Sequence, residues 1–256
     1  MAILRCDIRS TVLEQDTSLT VVLPYDRPAE NQAKPCRVLY LLHGIKLNDT
    51  GWLRRTNVET YAERYGVALI MPDGARSFYT DGQHTPPYGT YLSEELPRLC
   101  GELFGISPRR EDTFAAGLSM GGYGALKLAL GSPQRFCAGA GFSSVCDPVA
   151  FARTMGGSHT QKEAAAIWGR EYRLQARDDL FHLAVEAAKL PEGQRPRLYV
   201  CCGTEDPLYD QNLALNAHLE RLPLQTTFEA WPGGHDWVFW DAAVQRALKW
   251  MFEGSS

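Results

Sequence analysis

Short, almost wholly apolar runs alternate with amphipathic stretches along most of this 256-residue chain, and that alternation limits what it can become. RVLYLLHG (37–44), VALIMPDG (67–74), DTFAAG (112–117), FCAGAGFSS (136–144), PRLYVCCG (196–203) and QTTFEAWPG (225–233) each read as a strand. Between them VETYAERYG (58–66), residues 88–104, MGGYGALKLALG (120–131) and residues 241–252 carry helical spacing, with Gly66 and Gly131 as stops and Pro97 as a kink or break. Strands that are apolar throughout need cover on both faces, so the pattern predicts an α/β fold: a mostly parallel twisted sheet with helices on both sides. Residues 3–8 and 18–23 alternate instead, and predict an antiparallel start that adds edge strands, closed by Pro24 and a turn at 28–35. No internal repeat or long linker divides residues 1–256, which predicts one domain. The segment 147–195, with a helix at 178–189, is an insert after the fourth parallel-type strand; it reads as a cap-like cover or as a plain surface excursion.

Composition narrows the function classes. A net charge of −4 and a pI near 5.9 leave no basic footprint for nucleic acid or for an anionic membrane. The seven cysteines lack C-x2-C spacing, which argues for buried reduced thiols rather than a zinc site or a disulfide framework. MAILRCDIRSTV lacks the apolar core and small-residue cleavage site of a signal peptide, and no run is long enough to span a bilayer. A cytoplasmic protein acting on a small molecule is the expectation.

Gly117-Leu118-Ser119-Met120-Gly121 is a G-x-S-x-G element. The motif alone is weak; its position, with a strand before it and a helix after it, is what the nucleophile elbow of α/β-hydrolases requires. The glycines are needed for steric reasons, because a sharp turn that lifts the serine hydroxyl out of the sheet brings its flanks against the neighbouring strand and helix. The same turn aims the first helical N–H groups at a reacting carbonyl, making the Met120 N–H an oxyanion donor.

In such a fold the acid and the base follow the nucleophile in that order, the base in the loop after the last strand. Among His43, His84, His159, His182, His218 and His235, only His235, in WPGGHDWVFW, stands there. The acid belongs after the fifth strand, where Glu205, Asp206 and Asp210 are available. Asp206 is preferred because it precedes Pro207 at a sharp exit, with Glu205 the nearest rival and Asp147 an outside one. Ser119 would attack an acyl carbon, His235 take its proton, and Asp206 hold the imidazole tautomer, with no metal or organic cofactor. A second oxyanion donor in these enzymes comes from the loop after the first buried parallel strand, here His43-Gly44-Ile45, with the Ile45 N–H best placed and His43 and Gly44 on the substrate side.

LYLLHG, GVALIMPDGARSFYTD, EELP, RREDTFAAGLSMGGYGALKLAL, CGTEDPLYDQN and PGGHDW run in this order along the chain. Together they resemble the tributyrin-esterase group of the esterase D and S-formylglutathione hydrolase superfamily, to which feruloyl and acetylxylan esterases of carbohydrate esterase family one are related. The resemblance spans residues 1–252 and implies an α/β-hydrolase fold, short-chain acyl esters as substrates, the triad Ser119, Asp206 and His235, and a tendency to form homo-oligomers. It also places Ser77-Phe78-Tyr79 where Phe78 and Tyr79 line the acyl or alcohol pocket, packing being the other reading of those rings. S-formylglutathione hydrolases carry Ser-Gly-Leu-Thr-Cys at the oxyanion loop, where this chain has His43-Gly44-Ile45-Lys46-Leu47, which favours simple carboxylic esters over the glutathione thioester. A thioesterase, an acyltransferase and a non-catalytic binding module are the rival readings.

Overall fold

The computed structural model describes residues 1–25 and 35–253, so the turn expected at 28–35 lies, apart from Pro35, outside the described residues. β1 (Ala2–Ser10) alternates between half-buried and exposed positions and turns Arg5, Asp7 and Arg9 outward. It pairs antiparallel with β2 (Gln15–Leu23), which ends where Pro24 begins. Outward charges on an outermost strand discourage pairing with another chain.

The remaining strands are β3 (Val38–Leu42), β4 (Ala68–Pro72), β5 (Thr113–Leu118), β6 (Ala138–Phe142), β7 (Arg197–Gly203) and β8 (Thr226–Trp231). Among the described residues they complete an eight-stranded sheet in the order β1-β2-β4-β3-β5-β6-β7-β8, parallel from β4 to β8. β3 and β4 are buried at every position, as strands covered on both faces must be. Val38, Tyr40 and Leu42 enter the core on one face, and Leu39 and Leu41 the core on the other. Helix α1 (Val58–Tyr65) and α8 (Trp237–Glu253) cover the Leu39 side. Helices α2 (Leu96–Phe104), α3 (Met120–Gly131), α6 (Leu180–Ala188) and α7 (Tyr209–Leu219) cover the other. The chain leaves β3 toward β4 on one side and β5 toward β6 on the other, so the carboxyl ends of β3 and β5 meet at a switch point, where open α/β sheets hold their ligands.

Three helical expectations are refined. The break expected at Pro97 is a π turn over Tyr91–Glu95, after which α2 starts with Pro97 in its first turn, where a missing N–H costs nothing. Gly131 is the last residue of α3 rather than its stop, and Ser132 caps it. The closing helix starts at Trp237, not at 241, because the Asp236 carboxylate accepts the Val238 and Phe239 N–H groups, both at 3.0 Å.

Within 147–195 lie α4 (Pro148–Thr154), whose first N–H groups are accepted by Asp147, then α5 (Ser158–Trp168) and α6. The end of α5 is stitched to the loop after β4 by Gln83 N–H to the Ile167 carbonyl (3.0 Å) and His84 N–H to the Ala166 carbonyl (2.9 Å). Ahead of α6, Asp178 accepts from Lys127 Nζ of α3 at 3.0 Å, while the Tyr123 hydroxyl donates to the Asp178 carbonyl at 2.6 Å. Lys127 and Asp178 are both buried, and burial pulls the ammonium below its ordinary pKa against the opposing pull of the carboxylate.

Candidate active site

The turn from β5 into α3 holds Ser119 at φ 55° and ψ −117°, a conformation that L-residues rarely adopt. The two motif glycines explain how the turn fits. A Cβ on Gly117 would stand 2.4 Å from the Gly121 carbonyl oxygen, and one on Gly121 would stand 2.4 Å from the Leu42 carbonyl oxygen. Backbone therefore passes directly over backbone, and only glycine leaves room. The Ser119 N–H is held by the Phe142 carbonyl at 2.9 Å.

His235 Nε2 lies 3.1 Å from Ser119 Oγ, and His235 Nδ1 lies 2.8 Å from Asp206 Oδ2. A carboxylate only accepts, so Nδ1 carries the proton and donates, leaving Nε2 free to accept from the serine hydroxyl. The Asp206 side chain is sealed from solvent while that of His235 is 30% exposed. Burial alone would raise the Asp206 carboxyl. The hydrogen bond and charge of His235, the Leu208 N–H at 2.8 Å and the Ser143 hydroxyl outweigh it, and hold the carboxyl below the ordinary aspartate range. The Trp240 ring stands edge-on to His235, centroids 4.9 Å apart, and its indole N–H donates to Ser143 Oγ at 3.2 Å.

The loop carrying His235 is brought in by close approach of backbone: a Cβ on Gly203 would stand 2.0 Å from the Gly233 carbonyl oxygen. Glu205, the rival acid, spends its side chain on this loop, accepting the Gly233 N–H, and its own N–H donates to the Gly233 carbonyl at 3.1 Å. Glu205 steadies the histidine loop; Asp206 meets the histidine. Asp147 caps α4, and Asp236, next to His235, caps α8.

On the opposite side of Ser119 runs the loop after β3. A Cβ on Gly44 would lie 3.6 Å from the Ser119 Cβ, which brings this backbone alongside the serine. The Gly44 carbonyl accepts from His43 Nδ1 (2.8 Å) and from the Leu47 N–H (3.0 Å), and His43 Nε2 accepts the Gly74 N–H at 2.9 Å. Because a trans peptide points its N–H away from its carbonyl, pinning the Gly44 oxygen restricts the direction of the Ile45 N–H. Met120, Gly121 and Gly122 open α3, where N–H groups have no partner within the helix. Among the described residues, no cluster of three His, Cys, Asp or Glu side chains could hold a metal ion.

A family model described as putative esterase matches residues 10–251. The chain belongs to this esterase family. It is 31% identical to an acetyl esterase of Caldicellulosiruptor saccharolyticus over 98% of each chain. Among solved structures it is similar to the fluorophosphonate-binding serine hydrolase F of Staphylococcus aureus (31% identity, 98% of each chain, TM-score 0.88). It is also similar to an S-formylglutathione hydrolase of the same organism (31% identity, 98% of each chain, TM-score 0.86). The resemblance to the esterase D and carbohydrate esterase family one group is thereby shown, and with it an α/β-hydrolase fold and a serine esterase.

Within the esterase, the expectation that Phe78 and Tyr79 line the substrate pocket is corrected. Both side chains are closed off, at 0% and 1% exposure, because both residues take positive φ and turn inward. Tyr79 lies under α3, so close that a Cβ on Gly124 would meet its ring at 2.4 Å, and its hydroxyl donates to the His43 carbonyl. Phe78 packs against Tyr123, Phe151 and Trp168. The His43 ring is 1% exposed and is likewise absent from any substrate surface; it shapes the loop that Gly44 and Ile45 present. Ser143 and Trp240, behind Asp206, went unnoticed in the sequence. Trp240 stands five residues after His235, yet nothing in FSS marks Ser143, whose positive φ of 47° is a property of the folded chain.

The elbow yields a stability prediction. Gly121→Ala is expected to cost about 3 kcal/mol or more, since its Cβ meets rigid backbone rather than a movable side chain. Denaturant unfolding of the variant checks this, and a loss below about 1 kcal/mol would mean that the elbow can widen.

Proposed function

We propose that the esterase cleaves short-chain acyl esters through an acyl-enzyme formed on Ser119, with His235 as general base and Asp206 as its orienting acid. The observation that carries this is the unbroken relay Ser119 Oγ–His235 Nε2 at 3.1 Å and His235 Nδ1–Asp206 Oδ2 at 2.8 Å, in a family of serine hydrolases. As Ser119 attacks the acyl carbon, its proton passes to Nε2, and Asp206 stabilises the imidazolium that forms. The carbonyl oxygen becomes an anion, which the N–H groups of Ile45 and Met120 receive, the latter aided by the dipole of α3. His235 then gives its proton to the departing alkoxide and activates a water that releases the acid, restoring the enzyme.

The side chains of Phe78 and Tyr79 have no part in this reading; Gly44 flanks the acyl group through its backbone. The segment 147–195 serves as a cap-like cover within a single domain of residues 1–256, a reading supported by the bonds from α5 to the loop after β4. Short acyl groups are the reading that the likeness to an acetyl esterase supports, with acetylated or feruloylated sugars as physiological candidates. Buried thiols at Cys100, Cys146, Cys201 and Cys202 support a reducing, cytoplasmic setting. Among the described residues no helix is long and apolar enough to cross a membrane.

A p-nitrophenyl ester series from acetate to laurate tests the substrate class. Turnover is expected to peak at acetate or butyrate and to fall at least about tenfold by laurate, the equivalent of roughly 1.4 kcal/mol of lost transition-state binding. A maximum at laurate would overturn the short-chain reading. Faster turnover of a matched thioester than of the oxygen ester would redirect it to thioester hydrolysis.

A further inference from the structure

We propose that Arg76 is a positioning residue that ties the insert helix α5 to the oxyanion loop and so holds the Ile45 N–H in its working direction. Arg76 stands in the loop after β4, and its guanidinium serves two elements at once. Nη1 donates to the Ile45 carbonyl at 2.9 Å. Nε and Nη2 both donate to the Glu163 carboxylate of α5, Nη2 at 2.8 Å. Nη2 also lies 3.4 Å from Thr160 Oγ1. The side chains of Arg76 and Glu163 are 33% and 19% exposed, so the pair is partly withdrawn from water.

A two-bond pairing between guanidinium and carboxylate fixes a plane, which a single-point ammonium contact does not. Glu163 thus sets the orientation of the Arg76 fork, and the fork sets where the Ile45 carbonyl points. The peptide plane before Ile45 is pinned through the Gly44 oxygen by His43 and Leu47. Arg76 pins the plane after it. With both planes held, φ and ψ of Ile45 are held, and the direction of its N–H follows. Neither Arg76 nor Glu163 is bonded to Ser119, His235 or Asp206, so neither is a catalytic residue. Their effect passes through the loop. The inference rests on the proposed reading of the Ile45 N–H as an oxyanion donor.

Removing an oxyanion donor outright costs about 10²–10³ in kcat, and a donor left in place but loosely aimed should cost less. Arg76→Met is expected to lower kcat for p-nitrophenyl acetate by about 10- to 50-fold, with KM moving less than about threefold and the pH profile unshifted. Glu163→Gln should give a smaller loss with the same split. Arg76→Lys, which keeps one donor for the Ile45 carbonyl, should recover part of the rate. The double variant Arg76→Met with Glu163→Gln should be no slower than Arg76→Met alone, because Glu163 acts only through Arg76. Phosphonylation of Ser119 by a fluorophosphonate should slow in proportion to kcat. A folded Arg76→Met protein with wild-type kcat would overturn the proposal, as would a loss confined to KM or fully additive losses in the double variant. Should Arg76→Met fail to fold, wild-type kcat in both Glu163→Gln and Arg76→Lys would overturn it equally. An active Ser119→Ala variant would instead strike the triad reading. Inactive Ser119→Ala beside unimpaired Arg76→Met would strike this inference alone.

Discussion

Ser119→Ala is expected to lower kcat by a factor on the order of 10⁶ while leaving a folded protein, because the whole relay has nothing to act on once the hydroxyl is gone. The residual rate should still exceed that of water alone, since the loop at Gly44 and the start of α3 keep their N–H groups in place. Steady-state turnover, together with mass spectrometry of the fluorophosphonate-treated protein, makes the measurement. Wild type should gain one adduct at Ser119 and the variant none; retention of more than about a thousandth of the rate would dismiss Ser119 as nucleophile. The backbone at φ 55° adds a second readout. Non-glycine residues held in such conformations cost about 1–3 kcal/mol, so Ser119→Gly, equally inactive, should unfold at a higher temperature than Ser119→Ala.

Asp206→Asn is expected to cost about 10⁴ in kcat with little change in KM. The reason is a reversal of donors. A carboxylate can only accept, so His235 Nδ1 must carry the proton; an amide at 206 can donate to Nδ1, which moves the proton to Nε2 and removes the acceptor that Ser119 needs. Glu205→Gln should cost less than about tenfold, since Glu205 bonds the Gly233 N–H and not the imidazole. The opposite ranking in kcat would move the acid by one residue. The same variant has a pH signature. Asp206 is held below its ordinary value in the folded protein, so its contribution to stability is present above the unfolded value of about 3.9 and fades as pH falls through the folded one. The stability gap between wild type and Asp206→Asn should therefore be wide at pH 7, begin to close below about pH 4 and be lost only once pH falls below the folded value.

How far the sequence could be read follows from the range of the interactions concerned. Alternation of apolar strands and helical stretches is local, and it located all eight strands within a few residues of where they form. Ser119, Asp206 and His235 were legible because each sits at a fixed place relative to a strand end, even though 116 residues separate Ser119 from His235. Which face a residue of β3 meets was not legible, because every position is apolar and the period that marks a half-exposed strand is missing. The inward turn of Phe78 and Tyr79 was hidden for another reason: it depends on positive φ at two bulky residues, which no local propensity anticipates. The partnership of Arg76 with Glu163 joins charges 87 residues apart on a surface where any carboxylate could have answered. The start of α8 at Trp237 rather than at 241 rests on the Asp236 carboxylate accepting the Val238 and Phe239 N–H groups, a capping contact that helical spacing alone does not mark.

The Lys127–Asp178 pair has a mechanical consequence. Breaking a buried ion pair strands a charge in the interior, at a cost of about 3–5 kcal/mol, whereas parting the partly exposed Arg76 from Glu163 leaves both groups within reach of water. The segment from 147 to 195 is therefore tied at its Asp178 end by a buried ion pair with the Tyr123 hydroxyl bond beside it, and along α5 by a more exposed ion pair together with the Gln83 and His84 backbone bonds. Lifting the segment away at residue 178 therefore costs more in stranded charge than lifting it at Glu163.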